Sequence, residues 1–150
     1  MIALVRKGTS ADFPQALEAA PKFFAEAPPI YQRMPISRLR LSQTLDSMVE
    51  QDLFLVAHRG SEVIGYTGAL IGPTFWSFDL LACELFWWIE PANRGRYGLK
   101  LFIALEEAAR AAGARFLAPL ALMGRNFDEL ENFYLRRGYQ PFESAFIKEL

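Results

Sequence analysis

Glu84 is the residue of this chain whose surroundings most clearly favour acid–base chemistry. It lies inside the apolar run LLACELFWWIE (80–90), where a charged carboxylate is costly unless it is paired, protonated or open to a wet cleft. Burial would raise its pKa toward a value suited to taking a proton from an ammonium group. Glu84 is therefore a candidate general base, and the alternative is a structural carboxylate bonded to the backbone or to an arginine. Strand alternation predicts that its side chain shares a face with Phe86 and Trp88, opposite Cys83.

A loop rich in glycine and arginine, PANRGRYGLK (91–100), follows this run and precedes a predicted helix. A helix N-terminus leaves backbone N–H groups unpaired and carries partial positive charge, so it favours an anion. Gly95 and Gly98 would let the backbone approach a phosphate closely, and three cationic side chains add charge: Arg94, Arg96 and Lys100. The pattern predicts a pyrophosphate as ligand. The alternative is an ordinary strand-to-helix turn whose arginines are only solvated.

The elements that must position these residues occur in the order β-α-α-β-β-β-α-β-α-β, which predicts a mixed α/β domain with helices on both faces of one sheet. Strands are predicted at residues 2–5, 53–59, 63–72, 80–90, 115–122 and 139–150. The second and third strands are expected to form a hairpin around Gly60 and Ser61.

Four helices separate or flank these strands. The first is expected to begin at an N-cap Ser10, with Asp12 in its first turn, and to kink or end at Pro21. The second carries an apolar face of Leu41, Leu45, Met48 and Val49. The third is predicted over Gly98 to Ala112, before a C′ glycine at Gly113, and the fourth follows an N-cap at Asn126.

Composition limits the class of protein. The chain has 150 residues, 52% hydrophobic and 22% charged, so one globular domain covering 1–150 is expected. A net charge of −1 argues against nucleic-acid and membrane-surface partners. One cysteine, Cys83, interpreted as a small core residue, and one histidine, His58, interpreted as an exposed strand-end residue, give no zinc site, so no metal is expected. The apolar stretch at the N-terminus is short for a signal peptide, which favours a soluble, cytoplasmic protein.

Two motifs and the order of elements carry a resemblance to a known family. PANRGRYGLKLF (91–102) after the long fourth strand and ENFYLRRGY (131–139) near the C-terminus together resemble the Gcn5-related N-acetyltransferases, or GNAT superfamily, over essentially the whole chain. The resemblance implies a GNAT-like, mostly antiparallel central sheet. It also implies direct transfer of an acetyl group from acetyl-CoA to a primary amine of a small molecule or protein, within a ternary complex.

The same resemblance implies which residues bind acetyl-CoA. The pyrophosphate would be held by Arg94, Gly95, Arg96, Tyr97, Gly98, Leu99 and Lys100. The fourth-strand backbone near Trp88 and Ile89 would pair with the pantetheine arm. Asn126 could hydrogen-bond that arm or serve only as a helix cap.

The resemblance also implies catalytic residues. Glu84 would be the general base, directly or through water, and Tyr134, in the match F-Y-x-x-x-G-Y, would be the general acid that protonates the departing CoA thiolate. The alternative for Tyr134 is a core aromatic whose hydroxyl is capped.

Acceptor specificity, by the same resemblance, would come from two aromatic-rich loops, PPIYQRMP (28–35) and GPTFWSFD (72–79). Tyr31, Phe75 and Trp76 could line an apolar or planar acceptor site, or they could be buried in the interface of a homodimer. A second function stays open, because the glycine signature is matched only in part. It is a non-catalytic GNAT-fold module that binds CoA or a protein partner.

Overall fold

A computed structural model describes residues 2–124 and 126–150 of the chain. These residues form five β-strands: β1 (Leu4–Lys7), β2 (Phe54–Arg59), β3 (Glu62–Pro73), β4 (Leu80–Ile89) and β5 (Phe116–Ala118). They also form four α-helices: α1 (Phe13–Glu26), α2 (Arg38–Glu50), α3 (Arg96–Ala111) and α4 (Phe127–Arg136). Short 3₁₀ helices lie at Ser10–Asp12, Pro29–Arg33 and Pro91–Asn93.

The strands form one sheet in the order β1-β2-β3-β4-β5. The first four are antiparallel to their neighbours, whereas β5 runs parallel to β4. The predicted hairpin is confirmed, with Arg59 opposite Glu62 and Gly60 in the left-handed region at φ 59°. The predicted mixed α/β class with a mostly antiparallel sheet is therefore confirmed.

Helices cover both faces of the sheet, as predicted. On one face, α1 and α2 pack Ala16, Leu45 and Met48 against strand residues that include Val56 and Trp88. The other face has α3, whose buried stripe contacts a second group of strand residues; the stripe consists of Leu101, Leu105 and Ala109. The helix α4 lies on this same face, where Phe133 contacts Phe102 of α3 with ring centroids 5.3 Å apart.

A β-bulge in β4 overturns the prediction made for the face of Glu84. Gly68 pairs with Phe86 and Ala69 pairs with Glu84, so Leu85 is the extra residue on β4. The extra residue interrupts the alternation, so two side chains that would have shared a face of the sheet now lie on opposite faces. Glu84 therefore lies on the α3 face with Ala69, whereas Phe86 belongs to the α1–α2 face. Cys83 is exposed and is not the core residue expected from its apolar neighbours.

The chain ends differ from the prediction at two places. Residues 140–150 are exposed and form no strand in the described structure, so the predicted closing strand is wrong. The segment has little to pair with, because β5 offers an edge of only three residues and Pro141 lacks an N–H. At the other end, the N-cap of α1 is Asp12 rather than Ser10. The 3₁₀ helix before α1 has Thr9 as its N-cap, and the Thr9 N–H donates to the Asp12 carboxylate at 2.8 Å.

Pro21 does not end α1, which continues past it to Glu26. Proline removes one backbone donor from the helix, and Pro21 lies on the exposed side, where water can solvate the carbonyl left without a partner. The continuation matters because it brings the end of α1 to the segment that joins β4 to α3, where Glu26 meets Arg94.

Candidate active site

The strands β4 and β5 separate partway along β4 and leave an open cleft. Their parallel pairing runs from Leu81 opposite Phe116 to Cys83 opposite Ala118. In contrast, β4 stays paired to β3 along its whole length, to Ile89. The edge of β4 beyond Cys83 is therefore free of strand partners on the β5 side among the residues described. A cleft of this kind exposes backbone N–H and C=O groups to a ligand.

Glu84 lies where the two strands begin to separate. Its side chain is 2% exposed, and Oε2 accepts a hydrogen bond from the Leu120 N–H at 2.9 Å. Burial raises the pKa of Glu84 to about 8, although the Leu120 N–H opposes the shift by stabilising the carboxylate. A carboxyl with this pKa is divided between its two protonation states near neutral pH, so it can accept or release a proton there.

Tyr134 reaches the same point from α4. Its hydroxyl donates to the Leu120 carbonyl at 2.9 Å, and its ring lies 6.5 Å from that of Trp87. Burial, and then the nearby Glu84 and Tyr139, raise the pKa of Tyr134 well above the ordinary value. The hydroxyl therefore stays protonated at all physiological pH values and can act as a proton or hydrogen-bond donor. The structure thus brings the two predicted catalytic residues together at one backbone residue, Leu120.

The predicted phosphate loop forms the start of α3. Gly95 is the N-cap at φ 89° and ψ −114°, a backbone conformation that only glycine adopts readily. Leu99 makes the first helical hydrogen bond, to the Gly95 carbonyl at 3.0 Å. The preceding amides, of Arg96, Tyr97 and Gly98, lie in the first turn, where intrahelical acceptors are lacking. Since the N-cap side chain is a hydrogen atom, these amides face outward without a side-chain cap.

The cations of this loop have different partners. Arg94 donates through Nε to the Ile89 carbonyl at 3.1 Å and through Nη2 to both oxygens of Glu26. Arg96 is exposed, and its guanidinium lies 5.2 Å from the ring centroid of Tyr97. Lys100 is also exposed, and so is Leu99. Arg96 and Lys100 are thus available to an incoming anion, whereas Arg94 must leave an existing partner or share it.

The free edge of β4 presents the backbone of Trp87 and Ile89 rather than that of Trp88. The Glu90 N–H donates across to the Ile64 carbonyl of β3 at 2.8 Å, and backbone direction alternates along a strand. The polar groups of Trp88 therefore point toward β3, while those of Trp87 and Ile89 point toward the cleft. The side chain of Trp88 is buried on the α1–α2 face.

The residues predicted to bind the acceptor lie in two segments of the chain, Tyr31 in a 3₁₀ helix and the other two in a loop. Tyr31 is half-buried, with its ring centroid 6.1 Å from that of Phe24. Phe75 and Trp76 are 97% and 60% exposed in the loop between β3 and β4, and their rings contact each other. Glu84 is four positions after Leu80, the start of β4, about 13 Å along the strand. Asn126 occupies the N-cap position of α4, as predicted, but its exposed side chain makes no capping hydrogen bond within the part of the chain described.

Three features of the site escaped sequence reasoning. Leu120 takes part through its backbone, which any residue type supplies, so no residue pattern marks it. Glu26 is one of many surface acids, and its pairing with Arg94 spans 68 positions of sequence. The bulge at Leu85 lies in an apolar run whose side chains could pack on either face of the sheet, so the run does not mark its position. Gly68, on the opposite strand, is the local residue that could have indicated it. Addition of a Cβ there would place it 2.4 Å from the Met48 sulfur.

Several solved structures similar to this chain are described as acetyltransferases. An aminoglycoside acetyltransferase from an uncultured soil metagenomic sample matches with a TM-score of 0.72 and 19% identity over 100% of this chain and 99% of that one. A ribosomal-protein-alanine N-acetyltransferase from Brucella melitensis biovar Abortus 2308 matches with a TM-score of 0.75 and 11% identity, over 100% of both chains. A predicted acetyltransferase with acetyl-CoA from Clostridium acetobutylicum matches with a TM-score of 0.71 and 14% identity over 99% and 96%.

These likenesses establish the class of fold. The chain shares its fold with these acetyltransferases over nearly its whole length, as the predicted resemblance implies for the fold. No family model and no curated protein matches the sequence. Within the residues described, no helix has the length and apolar character to span a membrane, and no cluster of three histidine, cysteine, aspartate or glutamate side chains could hold a metal ion.

Proposed function

We propose that this protein is an N-acetyltransferase that moves an acetyl group from acetyl-CoA to a primary amine. One observation carries the proposal. Where β4 and β5 separate, a buried carboxyl with a pKa of about 8 and a protonated tyrosine, Glu84 and Tyr134, meet at Leu120. The uncapped start of α3 lies beyond Ile89, at the end of the same free strand edge.

The residues of the cleft suit the parts of acetyl-CoA. The first-turn amides of α3, with Arg96 and Lys100, would bind the pyrophosphate, because a helix N-terminus and cationic side chains both favour an anion. No atom of the described residues lies within 4 Å of a Cβ placed on Gly95, so a phosphate has room to approach the backbone there. The backbone groups of Trp87 and Ile89 that face the cleft would pair with the amides of the pantetheine arm, the Ile89 carbonyl after Arg94 releases it. Asn126 would be a further donor at the start of α4.

The proposed reaction is a direct transfer. The amine nitrogen attacks the thioester carbonyl, a C–N bond forms, and the C–S bond breaks to release the CoA thiolate. The proton lost by the amine goes to Glu84, directly or through one water. In its charged form Glu84 is well suited to accept it, because burial makes that form a stronger base than an exposed carboxylate.

Tyr134 would stabilise the departing thiolate. Its pKa lies well above that of a thiol, which is about 8.5, so complete proton transfer from the phenol is uphill. A hydrogen bond from the phenol to the developing thiolate lowers the barrier without that cost, and solvent can then supply the proton. The hydroxyl must turn from the Leu120 carbonyl toward the sulfur to do this.

The acceptor would be an amine that carries an apolar or planar group. Phe75 and Trp76 present a large exposed aromatic surface in the loop before β4. In contrast, part of the Tyr31 ring is covered by Phe24. We include these residues in the proposed acceptor region, with a homodimer interface as the competing use of the exposed aromatic pair.

A non-catalytic CoA-binding module is the second candidate. The observation in its favour is that Glu84 and Tyr134 each already bond to the Leu120 backbone, an arrangement that would also hold the loop after β5 in place. Such a module would bind acetyl-CoA but would not acetylate any amine.

Titration calorimetry with acetyl-CoA tests the proposal without a known acceptor. We expect one-site binding that weakens in Arg96→Ala and stays unchanged in Arg115→Ala. The control removes the same charge at the far end of β4, where the Arg115 N–H bonds to the Leu80 carbonyl. No binding at millimolar acetyl-CoA would reject both candidate functions. If acetyl-CoA binds, a screen of amines separates the enzyme from the module.

A further inference from the structure

Arg94 is held between two elements that border the cleft. Its Nε donates to the carbonyl of Ile89, the last residue of β4, at 3.1 Å. Its Nη2 donates to Oε1 and Oε2 of Glu26, the last residue of α1, at 2.6 and 2.7 Å. One guanidinium therefore joins the free strand edge to the end of a helix. The negative end of the α1 dipole adds to the attraction of the carboxylate.

A second ion pair lies beside the first. Lys22, one turn before Glu26 on α1, bonds to Glu90 at 3.1 Å. The two pairs together hold α1 against the segment between β4 and α3. They differ in one respect that matters for a ligand, because Arg94 belongs to the proposed phosphate-binding loop and Lys22 does not.

We propose that Glu26 sets the affinity for acetyl-CoA by competing with its pyrophosphate for Arg94, an inference that rests on the proposed function. Arg94 is two residues before Arg96, whose amide opens the first turn of α3. A pyrophosphate bound there lies within reach of Arg94, and the Glu26 carboxylate opposes it in two ways. It occupies the guanidinium, and it places a negative charge beside a negatively charged ligand.

The hydrogen bond from Arg94 to Ile89 strengthens this competition. The Ile89 carbonyl lies on the strand edge that the pantetheine amides would use. While Glu26 holds Arg94 in place, Arg94 occupies this carbonyl, which is then not available to accept a hydrogen bond from the ligand. Movement of Arg94 toward the pyrophosphate would release that carbonyl. Glu26 is thus an affinity-determining residue that acts through Arg94 and need not touch the reacting atoms.

Calorimetric titration of three proteins with acetyl-CoA, and separately with inorganic pyrophosphate, tests the inference. Glu26→Gln should bind both ligands about two- to fivefold more tightly than the wild-type protein, as expected for loss of one partly exposed ion pair. Glu90→Gln, which removes the same charge from the neighbouring pair, should change the affinity less. The gain should shrink as salt is added, because screening weakens exposed charge interactions.

A double-mutant comparison shows whether the effect passes through Arg94. In an Arg94→Gln background, Glu26→Gln should give a much smaller gain. An undiminished gain there, or an equal gain in Glu90→Gln, would overturn the role of Arg94. If the wild-type protein binds acetyl-CoA and Glu26→Gln binds it with the same or weaker affinity, the competition is overturned and the proposed function still stands. Absence of acetyl-CoA binding in every variant would overturn both.

Discussion

Glu84 and Tyr134 are joined through the backbone of a single residue. The Leu120 N–H donates to the Glu84 carboxylate and the Leu120 carbonyl accepts from the Tyr134 hydroxyl, each at 2.9 Å. Leu120 comes just after β5, where ladder pairing with β4 has ended. Two side chains from separate elements thus satisfy backbone groups that a longer strand would have paired.

The buried carboxyl of Glu84 should make stability depend on pH. Its pKa in the folded protein is about 8, raised by burial, so the native state keeps a proton that the unfolded chain releases near pH 4.5. This contribution to stability is fully present below the unfolded pKa and is lost as the pH rises through about 8. We expect the free energy of unfolding to fall between pH 5 and 9 by an amount on the order of a few kcal/mol.

Urea denaturation of wild-type protein and Glu84→Gln at pH 5, 7 and 9 measures this loss. The Gln side chain keeps an oxygen that can accept from Leu120 and cannot ionise, so the variant should show little of the decline. Parallel pH dependence in the two proteins would contradict the raised pKa.

The rate of acetylation should rise with pH if Glu84 is the base. The ionised fraction of Glu84 grows as the pH passes through about 8, so kcat/KM should rise to a plateau above that value. The measurement needs an acceptor whose own amine pKa lies below 7, so that the amine stays neutral throughout. Glu84→Gln should lose both the activity and the step in the profile. If kcat/KM of this variant still rises as the pH passes through about 8, the rise belongs to another titrating group.

Tyr134→Phe should lower turnover and spare binding. Loss of the hydroxyl removes the proposed donor to the thiolate, and kcat should fall by about a hundredfold, the lower end of the range for a positioned acid. The Kd for acetyl-CoA should stay within about twofold, since the ring remains in place. The Leu120 carbonyl loses its donor, which should cost about 1 kcal/mol of stability. Full activity in this variant would eliminate Tyr134 as the hydrogen-bond donor to the thiolate.

Gly95→Ala and Gly98→Ala should have different effects, although both lie at the start of α3. Gly95 has φ 89°, where alanine is strained by about 1–3 kcal/mol, so this variant should unfold at lower temperature and bind acetyl-CoA more weakly. A Cβ on Gly98 would lie 3.6 Å from Trp87 and 3.7 Å from Ile89, ordinary contact distances. Alanine there should be neutral or raise stability by up to about 1 kcal/mol. Thermal unfolding with and without acetyl-CoA compares them, and equal losses would contradict the conformational argument.

Local signals predicted most of the fold. The helical spacing of Leu101, Leu105, Ala108 and Ala112 predicted α3 to within two residues of its observed bounds, and the hairpin expected at Gly60 is present. The type and order of elements follow from short-range patterns, because a helix or a hairpin is specified mainly by residues close in sequence. The same patterns also indicated Glu84, since a carboxylate within an apolar strand can be recognised from the sequence alone.

Only the tertiary structure decided how those elements meet. The strand predicted at 139–150 is absent from the described structure because the sheet offers it no sufficient edge, and pairing is a property of two segments. The bulge at Leu85 reversed the face assigned to Glu84, because one extra residue shifts every later side chain. The contacts that define the site, from Leu120 to Glu84 and from Glu26 to Arg94, join residues 36 and 68 positions apart. Sequence therefore specified which groups could do chemistry, and packing over those separations determined which of them share a site.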